Sequence, residues 1–368
     1  MKKVDNWLFI TIVLLAIFGL VMMSSMSIAP SFRIKGENDY FLWRHFLYLI
    51  LGSGAFILGF KTPIAKIKKL SPLIFVGGII LLLLTFFIGK NHNTFASLWL
   101  KIGSFSVQPI EVTKLCTVIF LSAIFASKKN AANTFEGGFV PFAFLFGIPA
   151  LILVIQSDFG SLLVLSIAAA SIYFVAGANL KHFFSGLVTS ILGMFIVTLT
   201  VPYVKERVLT FLNPENDLQG SGFQIKQSLI AIGSGGSFGR GFQNSIQKFD
   251  YLPEVQSDTI FAAISEEMGF IRVIFLVGAF LFIALRGTVI AKNCSDEFSK
   301  YLAIGISTLI VGQAFINIGV NLALVPNTGI TLPLISYGGS SMIMTLLSAG
   351  ILLQISAEAA QKKSRRKW

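Results

Sequence analysis

Ten predominantly apolar runs constrain this 368-residue chain before anything else does. They lie at about 7–29, 41–60, 71–89, 108–127, 140–156, 160–178, 183–203, 270–290, 301–324 and 341–357. A bilayer-spanning helix needs about 20 such residues. The break at Gln156-Ser157-Asp158 divides two runs with a tight turn. The first run follows Lys2 and Lys3. It is longer than the roughly 7–15 apolar residues of a signal peptide, so it reads as a retained span. The expected fold is therefore all-α: a polytopic integral membrane protein of ten transmembrane helices, forming one domain over 1–368. Composition agrees. Hydrophobic residues make up 54% and charged residues 12%, against about 25% charged in soluble domains. Too few charges remain to coat a water-soluble surface.

Basic residues set the orientation, because short cytoplasmic loops retain Lys and Arg. With the N-terminus inside and the spans alternating, 17 of the 29 basic residues fall on the cytoplasmic side, among them Lys61, Lys66, Lys68, Lys69, Lys128, Lys129, Arg286, Lys292 and the run Lys362–Lys367. Both termini then lie inside. The net charge of +12 belongs to this bias, and nucleic acid is not an expected partner. Cys116 and Cys294 read as free thiols. His45, His92 and His182 have no metal-ligand spacing, so no metal–histidine site is expected.

One long loop, about 203–269, faces outside in this topology. It holds 8 of the 17 acidic residues. Loops of this length are usually functional or disordered. This one keeps apolar and aromatic residues, and Phe223 to Ile232 has the pattern of a surface helix. Its glycines (Gly220, Gly222, Gly233, Gly235, Gly236, Gly239 and Gly241) suit either a phosphate cradle or a tight turn. Asp258, just before the eighth span, suits either a general base or a helix N-cap.

Three more outer-face sites carry candidate chemistry. Gln108 to Lys114 opens the fourth span. Glu111 and Lys114 are three residues apart and share a helix face, either turned to a wet interior or neutralising each other at the helix end. Asp158 sits in the break between spans five and six, as a cap or a site residue. Arg207 and Lys114 are the cations suited to a phosphate. The segment Pro326 to Ser341, with Ser336 inside it, breaks the helix at membrane depth. Such backbone is tolerated only when buried in protein or lining a cavity, so it is a plug or a substrate-contacting loop.

Together, Gln224 to Gly236, Leu252 to Gly269 and Gly329 to Ser341 resemble the SEDS family (shape, elongation, division and sporulation proteins), over nearly the whole chain. Thr331-Leu332-Pro333 after Gly329-Ile330, and Gly19 to Met22, resemble its FtsW type more than its RodA type. The resemblance implies ten spans in the bacterial cytoplasmic membrane. It also implies a peptidoglycan glycosyltransferase that polymerises lipid II, using a glycan on undecaprenyl pyrophosphate. Its working partner is a class B penicillin-binding protein, with other divisome or elongasome membrane proteins around it. The family's essential loop aspartate falls on Asp258, implying a catalytic role. Glu111, Lys114, Arg207, Asp158, Gln108 and Ser336 are the expected substrate contacts. A divalent cation, Mg or Mn, could share the charge on the pyrophosphate, without a ligand set in the sequence. Ile110, Ser157, Leu98 and Gln256-Ser257 depart from the family pattern, which has Ser, Pro, Arg and His-Thr there. Two other readings fit a ten-span bundle: a lipid II flippase, and a non-catalytic division scaffold. A transporter would place its polar groups near the midplane, often in an inverted repeat. Here they cluster at the outer face.

Overall fold

Hydrocarbon offers the backbone no hydrogen-bond partners, so each apolar run closes its own bonds as a helix. The computed structural model describes residues 4–88, 98–103, 105–127, 131–217, 220–249 and 251–365. Lys2, Lys3, Lys128, Lys129, Arg366 and Lys367 lie outside them. The chain runs through α1 (Asn6–Met26), the short α2 (Ile28–Lys35), α3 (Tyr40–Lys61) and α4 (Ile64–Ile88). A two-strand hairpin follows, β1 (Leu100–Ile102) paired antiparallel with β2 (Phe105–Val107). Next come α5 (Pro109–Ser127), α6 (Val140–Ile155), α7 (Phe159–Val175), α8 (Leu180–Thr200), α9 (Pro202–Leu212) and α10 (Ser221–Gly235). The long α11 (Ile260–Asn293), α12 (Glu297–Asn321) and α13 (Gly339–Arg365) complete the bundle. Among the described residues nine helical segments are long and apolar enough to cross a membrane, and α7 is a shorter apolar helix of 17 residues. The protein is a nearly all-helical polytopic membrane protein.

The centre of the bundle is α5, α12 and α13, whereas α8 has no buried residue and sits at the rim. α3 packs along α13 through small residues: a Cβ on Gly59 or Gly350 would strike the other helix's backbone. Close approach at glycine is how membrane helices gain contact without a hydrophobic drive between them.

Three contacts gather one end of the bundle. Arg286 at the far end of α11 holds Asp5 at 2.6 Å. The Asp5 amide donates to Ser356 Oγ of α13 at 3.2 Å. The Ile64 amide, at the start of α4, donates to Glu358 of α13 at 3.3 Å. The start of α1 and the later part of α13 therefore share one end. The segments 98–107, 203–259 and 326–338 meet at the other.

The described residues of the long loop form a folded cap. α10 covers the expected 223–232 helix and extends it. α11 begins at Ile260, ten residues before the expected span, and breaks at Gly269 (φ 73°, ψ 171°). Only glycine suits this left-handed φ, and a Cβ there would meet the Phe238–Gly239 backbone. Several amides of the glycine-rich turn are bonded within the protein. Arg240 and Gly241 donate to the Glu266 and Glu267 carbonyls at 2.9 and 3.0 Å. The Ile246 and Gln247 amides receive an anion, but it is the Glu266 carboxylate, at 3.1 and 3.2 Å.

Candidate functional site

A cavity of about 500 Å³ opens at the end where these loops meet. α3 gives it Phe41, Arg44 and Tyr48, and the hairpin gives it Ser106, with Leu98 and Trp99 just before. Gln108 and Glu111 line it from the start of α5, and Ser157, Asp158 and Ser161 from the α6–α7 turn. Arg207 reaches in from α9, beside Glu254, Gln256 and Ser257. Thr328 to Thr331 and Tyr337 to Gly339 form the remaining wall. Four of the predicted residues, Gln108, Glu111, Asp158 and Arg207, converge on this space. Ser157 and Glu254 have φ of 58° and 51°, and left-handed non-glycine residues concentrate at functional sites.

Lys114 and Ser336 are not among the residues that line this cavity. Lys114 Nζ donates to Glu111 Oε1 at 2.8 Å and to Gln313 Oε1 of α12 at 2.7 Å, fully inside the bundle. It neutralises Glu111 from within. The Ser336 hydroxyl accepts from the Leu332 amide at 2.7 Å and donates to the Ser257 carbonyl at 2.6 Å. It ties the 326–338 segment to the strip before Asp258.

Asp158 caps a helix and lines the cavity. One oxygen caps α7, accepting from the Ser161 amide at 3.0 Å. The other, buried beside the cavity, has no hydrogen-bond partner among the described residues. Burial pushes the Asp158 carboxyl above the usual range, against the Ser161 bonds and the charge of Lys114.

Asp258 lies just past Ser257 of the cavity wall and is itself buried. Gln224 Nε2 donates to its Oδ2 at 3.3 Å, while Oδ1 has no partner among the described residues. Asn327 donates to Gln224 at 2.7 Å, and Arg207 donates to the Asn327 carbonyl at 2.9 Å. Polar groups thus connect the cavity cation to the carboxylate. Burial raises Asp258 to about 6, with Glu254 adding and Gln224 and Arg207 opposing.

Several site residues escaped the sequence reading. Arg44 is a second cation on the cavity wall, inside an apolar run where it read as span. Gln313, Asn317 and Asn321 recur at i, i+4 and i+8, which places them on one face of α12. Polar side chains inside an apolar run were the available signal. Leu98 lines the cavity without charge. Among the described residues no three His, Cys, Asp or Glu side chains are grouped to hold a metal. The clefts of about 400 Å³ along α1–α11 and α10–α12 are almost wholly apolar and lack convergent polar groups.

A membrane-embedded helical bundle with a charged cavity at one end, closed by an ordered loop bearing a buried carboxylate, defines a class of protein that works on ligands at the membrane face. The chain belongs to the FtsW/RodA/SpoVE family of cell cycle proteins, whose family model matches residues 5–361. It is 37% identical over 358 residues to a probable peptidoglycan glycosyltransferase FtsW of Idiomarina loihiensis, covering 96% of this chain and 87% of the relative. The corresponding protein of Geobacter metallireducens is 36% identical, with 96% and 95% covered. Among solved structures, one described as structural coordination of polymerization and crosslinking by a peptidoglycan synthase complex superposes with TM-score 0.81. It is 28% identical and covers 98% of this chain and 99% of that one. The rod shape determining protein RodA of Thermus thermophilus shares the fold, with TM-score 0.70, 23% identity and 96% and 97% covered.

Proposed function

We propose that this protein is an FtsW-type peptidoglycan glycosyltransferase that polymerises lipid II on the outer face of the bacterial cytoplasmic membrane. Ten helices cross that membrane, α7 included, with both termini inside. The buried Asp258 carboxylate, one oxygen held and the other unpartnered at the edge of a charged cavity, carries the reading. The relatives' shared description over nearly the whole chain supports it.

The reaction is an inverting glycosyl transfer. The acceptor is the 4-hydroxyl of GlcNAc on lipid II, and the donor is a glycan on undecaprenyl pyrophosphate. Asp258 Oδ1 takes the hydroxyl proton as the new bond forms, after a short approach of the kind apo sites often need. Arg207 stabilises charge on the departing pyrophosphate. Glu111, Asp158 and Gln108 receive sugar hydroxyls and amides, with Lys114 holding Glu111 and Ser336 holding the wall. A class B penicillin-binding protein crosslinks the product, alongside other division membrane proteins.

A flippase would need its polar groups at the midplane, and a scaffold has no use for a buried unpartnered carboxylate. The test is purified protein with lipid II, read as glycan polymer on a gel, with and without the partner. The partner should raise the rate. Asp258→Asn should lose about 10²–10⁴-fold. If it keeps more than about a tenth of the activity, Asp258 is not the base, because a general base contributes at least about 10²-fold.

A further inference from the structure

The Asp258 carbonyl receives two side-chain amides from α12. Asn317 Nδ2 donates to it at 2.8 Å and Asn321 Nδ2 at 2.9 Å. Asn317 Nδ2 also donates to the Ile330 carbonyl at 2.8 Å. Ile330 belongs to the cavity wall, so one amide grips both the residue bearing the carboxylate and the wall opposite. Two further bonds run between the same strips. The Tyr337 amide donates to the Gln256 carbonyl at 2.8 Å, and Ser336 Oγ to the Ser257 carbonyl at 2.6 Å. Residues 256, 257 and 258 are each fastened to the 330–337 segment, the last through Asn317. Meanwhile the Asn317 Oδ1 atom is buried without a partner among the described residues.

We propose that Asn317 is a positioning residue for Asp258, holding the carboxylate in register with the cavity wall through its single bridging amide. This rests on Asp258 being the base. The two carbonyls draw together over Asn317, so a substrate seated against Thr328–Thr331 meets Asp258 at a fixed height. Loss of the bridge frees Asp258 from Ile330, while residues 256 and 257 stay bonded to Tyr337 and Ser336. Substrate binding survives, because Gln108, Glu111 and Asp158 are held by α5 and the α6–α7 turn, but the proton transfer loses its geometry. A misplacement of about 1 Å can cost about 10²-fold.

The test compares full-length Asn317→Leu and Asn317→Ser with wild type, by steady-state polymerisation of lipid II in the presence of the partner. Leu is close in size and donates nothing. Ser can serve one carbonyl, not both. Asn317→Leu should lower kcat by about tenfold or more while KM for lipid II stays within about threefold, and Asn317→Ser should fall between. Folded protein is matched by size exclusion. A wild-type kcat in Asn317→Leu overturns the proposal, and so does a rise in KM with kcat intact. If Asn317→Leu does not fold, Asn317→Ser decides, and its wild-type kcat overturns the bridge. Asp258→Asn runs alongside. An active Asp258→Asn removes the base itself, whereas an inactive one beside a fully active Asn317→Leu removes only the bridge.

Discussion

Asn321 of α12, not Asp258, receives the Ala262 amide at the first turn of α11, at 3.3 Å. Asp258 stands two residues before that helix and does not cap it, so its carboxylate is left for other work. The cap comes instead from a helix packed alongside. Losing an Asn cap costs about 0.5–2 kcal/mol. Asn321→Ala should therefore lower the unfolding midpoint in detergent, and Asp258→Asn should not. Equal destabilisation by both would return Asp258 to a capping role.

The pair Lys248 and Glu267, at 2.9 Å, is wholly buried. Lys248 Nζ also donates to Ser25 Oγ of α1 at 2.9 Å and to the Gln243 carbonyl at 2.7 Å. The pair fastens the glycine-rich turn to α1 and α11. Removing one partner of a buried pair costs about 3–5 kcal/mol, whereas replacing both by apolar residues is often neutral. Lys248→Met should sharply reduce the monodisperse fraction after purification. The double variant Lys248→Met/Glu267→Leu should recover most of it. Equal losses in the single and double variants would show that the charges do not act as a pair.

The helices were legible because a bilayer leaves an apolar run so few options. α3, α5 and α6 fall within a residue of their sequence bounds. The break at Gly269 falls where the eighth apolar run starts, and the turn of helix before it, 260–268, carries Glu266 and Glu267, which look like loop residues. Their partners, Lys248, Ser245 and Arg240, lie about twenty positions away, and their pairing is tertiary. The i, i+3 relation of Glu111 and Lys114 could be read directly. That Lys114 turns inward could not, since Gln313, 199 residues on, decides it. The glycines fit two roles in the sequence, and the bonds of Arg240 and Gly241 to the carbonyls of Glu266 and Glu267 are tertiary.

Lys114 is the cation behind Glu111. Lys114→Met leaves a buried carboxylate facing the cavity without its partner. Polymerisation should fall by about tenfold or more, as expected when a binding group shifts, at unchanged expression. Wild-type rates would make the pair purely structural.

Topology is checked by labelling. With both termini inside, a thiol introduced by Glu215→Cys should react with an impermeant reagent from outside. A reporter fused after Lys367 should work only in the cytoplasm. Labelling of both positions from one side would break the ten-span arrangement.

The pH dependence follows from Asp258, raised from 3.8 to about 6. A general base must be ionised, so the polymerisation rate should climb through about pH 6 to a plateau. Glu254 helps hold that value up, so Glu254→Gln should move the climb to lower pH. Stability runs the other way. A carboxyl raised in the folded state binds its proton more tightly there than when unfolded. Its contribution is fully present below about pH 3.8 and lost as pH rises through about 6. At neutral pH the ionised Asp258 therefore costs stability, by about 1–3 kcal/mol. Asp258→Asn should be inactive yet more thermostable than wild type at pH 7.5, with the difference shrinking toward pH 4. Thermal midpoints of both proteins across that range measure it. An Asp258→Asn that is less stable than wild type at pH 7.5 would mean the carboxylate is held in place for the fold and not for the reaction.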